Sequence, residues 1–134
     1  LTDYYDVNLK KGRQRLLCEN PNYYNYKGFI QDIKLLNEIF LKHKPNVVVH
    51  LAAQAGVRYS IENPFSYVES NLIGTFQILE AARKYHPKHL LIASTSSVYG
   101  GNTNMQLEER QKDDTPMSFY AATKKSNEVM DHDY

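Results

Sequence analysis

Two apolar runs that do not alternate constrain this chain more than anything else in it: the valines of NVVVHLAAQAG, from Asn46, and Leu90 to Ala93 in KHLLIASTSSVYG. A strand with one wet face alternates apolar and polar residues, whereas an unbroken run is what a strand covered on both faces looks like in a parallel sheet. Between the two runs, the pattern predicts a helix that begins near Asn63 or Pro64 and reaches about Tyr85. Before them, IKLLNEIFLKH sets Ile33, Leu36, Ile39 and Phe40 on one helical face, with Pro45 just beyond its end. YKGFIQDI reads as a further strand ending in Asp32, and LKKGRQRLL, from Leu9 to Leu17, as a short solvent-facing helix. After a polar loop at 102–115, whose EERQKDD run reads as solvated, Ser118 is placed to cap a last helix. Strand and helix alternate, so the expected class is α/β with a parallel sheet.

In such sheets ligands bind beyond the carboxyl ends of the strands. That rule singles out Asp32, the stretch from His50 to Gln54, and the hydroxyl-rich stretch from Ser94 to Ser97. Composition narrows the ligand. At 134 residues and 42% hydrophobic, the chain has material for one domain, or part of one. Sixteen basic against fifteen acidic residues leave a formal charge of +1, so no strong field recommends nucleic acid or an anionic membrane, and a small ligand is expected. The single cysteine, Cys18, has no partner for a disulfide or a zinc site; it is expected to be a buried or half-buried thiol, in a reducing compartment such as the cytoplasm. Histidines 43, 86, 89 and 132 lack metal-ligand spacing, so no metal is expected. No run approaches the roughly 18 apolar residues of a membrane span. The first residues have neither the basic start nor the apolar middle of a signal peptide, and the missing initiator methionine points to a piece of a longer protein. Tyrosines 4, 5, 23, 24 and 26 form a dense group for which packing or an interface is the plain explanation.

The chemistry-bearing candidates lie in SFYAATKKSNE, where Tyr120 precedes Lys124 by one helical turn. Any i, i+4 pair shares a helix face, so the pair means little alone. Thr95, at the hydroxyl-rich strand end, gives it context. Thr95 and Tyr120 could contact one substrate oxygen, and the Lys124 charge would lower the phenol pKa from near 10. Phenolate and ammonium together make a base usable near neutral pH.

Thr95, the Tyr-x-x-x-Lys at 120–124, HLAA at 50–53 and NPFSYVESNLIGTFQILEAAR at 63–83, in that register, resemble the extended short-chain dehydrogenase/reductases, the NAD-dependent epimerase/dehydratase family. AAQAGVRYSIENP, ASTSSVYG and SFYAATKKSNEVM are most similar to UDP-glucuronate 4-epimerases within it. The resemblance implies a partial Rossmann-type parallel sheet flanked by helices, truncated at both ends: residues 1–134 would be a segment of an NAD-binding domain. The glycine-rich first turn that cradles the cofactor pyrophosphate and the C-terminal substrate domain would lie outside it. In the sheet order 3-2-1-4-5-6 only strands 3, 4 and 5 would be retained, and strand 3 would lack its neighbour.

Carried over by position, the resemblance puts Asp32 and Ile33 beside the adenine of NAD, and Leu51, Ala52 and Ala53 along its pyrophosphate and ribose. Small side chains suit such an approach; ordinary strand-end packing is the competing explanation. Ser70 matches a cofactor contact, Asn71 a structural position, and Arg58 a residue that could face a substrate phosphate or carboxylate. Tyr120 would serve as proton acceptor and donor, with Lys124 also holding the nicotinamide ribose. Related 4,6-dehydratases follow the threonine with Asp-Glu and related UDP-glucuronate decarboxylases with Ser-Glu, whereas Thr95 is followed by Ser96 and Ser97. The two serines could donate to a uronate carboxylate, or merely satisfy local backbone groups. The implied activity is C4 epimerisation of a nucleotide sugar, UDP-glucuronate to UDP-galacturonate, in a cytoplasmic homodimer. UDP-galactose, a UDP-N-acetylhexosamine, or a catalytically silent binding role remain open alternatives.

Overall fold

The computed structural model describes residues 2–101 and 115–134; the loop at 102–114, with its charge run, lies outside the described residues. The elements run α1 (Val7–Cys18), α2 (Ile33–His43), β1 (Val47–His50), α3 (Tyr59–Glu62), α4 (Pro64–Tyr67), α5 (Gly74–Tyr85), β2 (His89–Ile92) and α6 (Phe119–Asp133). A π-helical turn, Val68–Ile73, joins α4 to α5, and a 3-10 turn, Ser96–Tyr99, follows β2. The helical stretch 64–85 therefore has the ends its sequence predicts, with the π turn set inside it. Pro64 opens it because its missing N–H costs nothing at a helix start.

The two unalternating runs pair in parallel, Val47 with His89 through His50 with Ile92. The α/β class with a small parallel sheet is thus as predicted. Coverage of the sheet is not. Val48 and His50, with Leu90 and Ile92, turn toward the helices, while Val47, Val49 and Leu91 on the other face remain 55%, 57% and 45% exposed. Successive strand side chains point to opposite faces, and among the described residues only one face has helices against it.

Helices α2 and α5 pack together and bury Leu36 and Phe40 on the one, and Ile78, Leu79 and Ala81 on the other, as the main apolar core. Phe40 and Tyr85 pack at a ring distance of 5.5 Å. Helix α2 follows its predicted face and ends at Lys44, in left-handed conformation, just before Pro45.

The strand expected at YKGFIQDI does not form. Residues 26–32 run as coil closed by a turn in which Asp32 N donates to Phe29 O at 3.1 Å. Among the described residues the sheet consists of β1 and β2 paired with each other, so the apolar pattern of this segment joins no ladder. The segment still packs: a side chain at Gly74 would meet Ile30 Cγ2 at 2.5 Å, so the start of α5 needs glycine for this approach. Helix α1 forms as expected and buries none of its residues. For that reason Cys18 is exposed rather than buried.

Candidate active site

Both strands end at the same side of the sheet, and three elements converge there. Ser118 caps α6 by accepting from Ala121 N at 3.0 Å, which starts the helix two residues before Tyr120. One turn on, the buried Lys124 donates from Nζ to the Ala93 carbonyl, just past β2, at 2.5 Å. Beyond β1, Gln54 is clamped by Asn71 of the π turn: Gln54 N donates to Asn71 Oδ1 at 2.8 Å, and Asn71 Nδ2 donates to Gln54 O at 3.0 Å. The same Nδ2 reaches Thr123 Oγ1 at 3.0 Å, and that hydroxyl donates to the Tyr120 carbonyl at 2.8 Å. In a π turn the helix gains a residue, which rotates the following positions; here Gly74 N bonds to Glu69 O and Asn71 faces inward, fully buried.

Tyr67 occupies the centre of this arrangement. It is fully buried, donates to Ala55 O at 2.9 Å and Gly56 O at 2.5 Å, and meets the half-buried Tyr120 edge-on at 5.9 Å. Burial pushes the Tyr67 phenol above its ordinary pKa, so it stays a neutral donor. Gly56, at φ +104°, turns the chain beneath it in a conformation that a side chain would strain.

Burial lowers the Lys124 pKa, a shift opposed by the Glu128 charge. Glu128 in turn accepts from Ser94 Oγ at 2.5 Å and pairs with Lys125 at 3.2 Å. His50, at the end of β1, contacts Thr75 Oγ1 through Nε2 at 3.0 Å, and either tautomer can make this bond. Burial first, and then the Lys124 charge, push His50 down to about 4. At neutral pH it carries no charge, leaving Lys124 as the cation between the strand ends.

Tyr120 and Lys124 stand on α6, which packs against the 3-10 turn that Thr95 caps, and Asn71 bonds to Thr123 on the same helix. Thr95 is half-buried and accepts from Ser97 N at 3.3 Å, so its hydroxyl caps the 3-10 turn that carries Ser96 and Ser97. Ser96 is exposed and Ser97 half-buried. Ser70 lies half-buried in the π turn. Leu51, Ala52 and Ala53 are exposed beyond β1. Asp32 and Ile33 sit at the start of α2, where Asp32 Oδ1 accepts from Lys34 N and Leu35 N at 3.0 and 3.2 Å, so it serves at least as a helix cap. Arg58 is exposed before α3, and among the described residues no side-chain hydrogen bond ties it to the cluster.

A recess of about 870 Å³ opens beside Ala52 and Ala53. Tyr4, Tyr5, Tyr23 and Tyr26 line it, together with Lys10, Arg13 and Lys27, and among its described lining residues there is no aspartate or glutamate. Cations without acids suit phosphate oxygens, and tyrosine faces suit a base, so the donor set fits a dinucleotide such as NAD. Sequence reasoning treated these tyrosines as packing or an interface and gave the three cations no binding role, because nothing local connects them with Ala52. It also missed Tyr67 and Thr123, whose partners are distant in the chain.

A profile of the family described as GDP-mannose 4,6 dehydratase matches residues 4–134. Over all 134 residues the chain is 46% identical to a probable UDP-glucuronate 4-epimerase of Rhizobium meliloti, of which it spans 39%. It is 47% identical over 133 residues, 98% of its length, to UDP-glucuronate 4-epimerase 4 of Arabidopsis thaliana, of which it spans 30%. The solved UDP-glucose 4-epimerase of Thermus thermophilus in complex with NAD aligns with a TM-score of 0.79 at 32% identity, covering 86% of this chain and 37% of that one. The chain therefore spans well under half the length of these relatives. With the family pattern running through nearly all of it and the tyrosine–lysine helix seated against both strand ends, the chain belongs to the GDP-mannose 4,6 dehydratase family of nucleotide-sugar epimerases and dehydratases, within the extended short-chain dehydrogenase/reductases.

Proposed function

We propose that the chain is a segment of the NAD-binding Rossmann domain of an enzyme that epimerises a UDP-sugar at C4, converting UDP-glucuronate to UDP-galacturonate through a 4-keto intermediate. The observation that carries this reading is the buried Lys124 ammonium, fixed at the end of β2 one turn from Tyr120. NAD would supply a reversible hydride acceptor for C4, with zero net redox change over the cycle. Asp32, Ile33, Leu51, Ala52, Ala53 and Ser70 would hold it, with Lys124 at the ribose and the cations of the recess available to the phosphates.

The chain's own groups supply the proton chemistry. Tyr120 accepts the proton of the 4-hydroxyl and later gives it back, Lys124 stabilises the phenolate, and Thr95 orients the oxygen. The family description names a dehydratase, and the two outcomes part after C4 oxidation. Elimination needs an acid or base near C5 and C6. Ser96 and Ser97 stand where related dehydratases carry Asp-Glu, so neither of the two positions after Thr95 holds a carboxylate. A 4-keto uronate is a β-keto acid that loses carbon dioxide readily. Neutral hydroxyl donors can hold its carboxylate in an orientation that resists this, and Arg58 is a further candidate for a phosphate or carboxylate. A homodimer suits the exposed Ile61, Phe65, Phe76 and Val129 on the helical side. A cytoplasmic setting suits the free, exposed Cys18.

The test is proton NMR of the full-length protein with UDP-glucuronate. UDP-galacturonate is the expected product. UDP-xylose or a 4-keto-6-deoxy sugar as main product would overturn the assignment, and conversion of UDP-galactose alone would move it to another epimerase. Tyr120→Phe should lower turnover by about 10²–10⁴, the usual worth of a general acid–base group.

A further inference from the structure

Thr123 lies between Tyr120 and Lys124 on α6 and is 2% exposed. Its one hydroxyl proton goes to the Tyr120 carbonyl at 2.8 Å, which leaves its lone pairs to accept from Asn71 Nδ2 at 3.0 Å. Asn71 is itself held by both backbone groups of Gln54. A continuous line of hydrogen bonds therefore runs from the chain beyond β1, through the π turn, to the backbone of Tyr120. Lys124 is fastened separately, to Ala93 beyond β2. The first turn of α6 is thus pinned to both strand ends, and the pin for Tyr120 passes through one hydroxyl.

We propose that Thr123 is a positioning residue for Tyr120. It sets where the phenol stands relative to the strand ends by tying the Tyr120 backbone to Asn71. The inference rests on the proposed role of Tyr120 as proton acceptor. A threonine bonding back along its own helix would satisfy its hydroxyl without Asn71. The second bond, to an element 52 residues away, is what a purely local role does not require. A misplacement of about 1 Å at a reacting group can cost about 100-fold in rate, so a modest tilt of the first turn would be felt in turnover.

The test uses the full-length enzyme with UDP-glucuronate. Thr123→Val keeps the shape and deletes the hydroxyl; Thr123→Ser restores the hydroxyl. Thr123→Val should lower kcat by about 10- to 100-fold with KM within about threefold and bound NAD unchanged, and Thr123→Ser should recover most of kcat. In a Tyr120→Phe background Thr123→Val should cost little more, because the group it positions is already gone. If Thr123→Val folds poorly, Thr123→Ala enters the same cycle. A kcat within twofold of the parent, or losses that simply multiply in the double variant, would overturn the inference. If Tyr120→Phe alone retains its turnover, the failure lies with the proposed role of Tyr120.

Discussion

The polar cluster at the strand ends and the segment before α2 are built on opposite plans. Around Tyr120 and Lys124, side chains bond across 17, 31, 34 and 52 residues of sequence, and Asn71, Thr123 and Lys124 are buried. Before α2, the side-chain bonds of Asp6 to Asn8 and Asn20 to Asn22 span two residues and that of Lys10 to Thr2 eight, the exposed Tyr26–His43 bond is the long one at 17, and α1 buries nothing. Long-range bonds hold chemistry in one geometry, because breaking those of Asn71, Thr123 or Lys124 strands a buried polar group. Local bonds leave a segment free to adjust. The recess beside Ala52 joins the two plans, with Ala52 to Ala55 of the strand end on one wall and tyrosines and cations of the earlier segment on the other.

The contrast can be broken first through the core. Leu79 is fully buried and Leu16 is 69% exposed, so Leu79→Ala should cost about 2–5 kcal/mol and Leu16→Ala less than about 0.5 kcal/mol in urea unfolding of the intact protein. Comparable losses at the two positions would mean that α1 is packed after all.

A second measurement uses pH. His50 titrates near 6.5 when unfolded and is pushed down to about 4 in the fold. The unfolded chain therefore binds the proton more readily, and the stability contributed by neutral His50 is complete above pH 6.5. It drains away as pH falls toward 4 and then levels off. The urea midpoint should drop between pH 7 and pH 4.5, and His50→Gln should flatten part of that drop. An unchanged pH dependence in His50→Gln would place the titration elsewhere.

The smallest effect belongs to Asp32, which stands between the two regions. As a cap on α2 it is worth about 1 kcal/mol, so Asp32→Ala should lose that much in thermal or urea unfolding, while Asp32→Asn, which can still cap, should lose little. Calorimetry of NAD binding to Asp32→Asn in the full-length protein then separates the cap from the adenine contact. Lost affinity with stability retained would assign both roles to one carboxylate.

Much of the fold was legible because it depends on local pattern. The valine run and Leu90 to Ala93 mark strands within a residue of where they lie, Pro64 and Tyr85 bound the long helix, and Ser118 caps α6. The YKGFIQDI segment has the same kind of pattern and makes no strand, since a ladder needs a neighbour and the pattern cannot supply one. The Val47 and Val49 face likewise reads as covered, although coverage is a property of what packs against a residue rather than of the residue.

The linear order of residues thus determined the α/β class, the helix ends, and the presence of Thr95, Tyr120 and Lys124 as a possible set. Helical period and capping act over a few residues, and a resemblance acts position by position. Only the tertiary structure decided that VESNLI would form a π turn, that Asn71 would join Gln54 to Thr123, and that Tyr67 would hold the turn at Gly56. Each depends on a buried donor finding an acceptor on a different element. No local propensity encodes that choice, because it is made when the elements close on one another and water is no longer there to serve as partner.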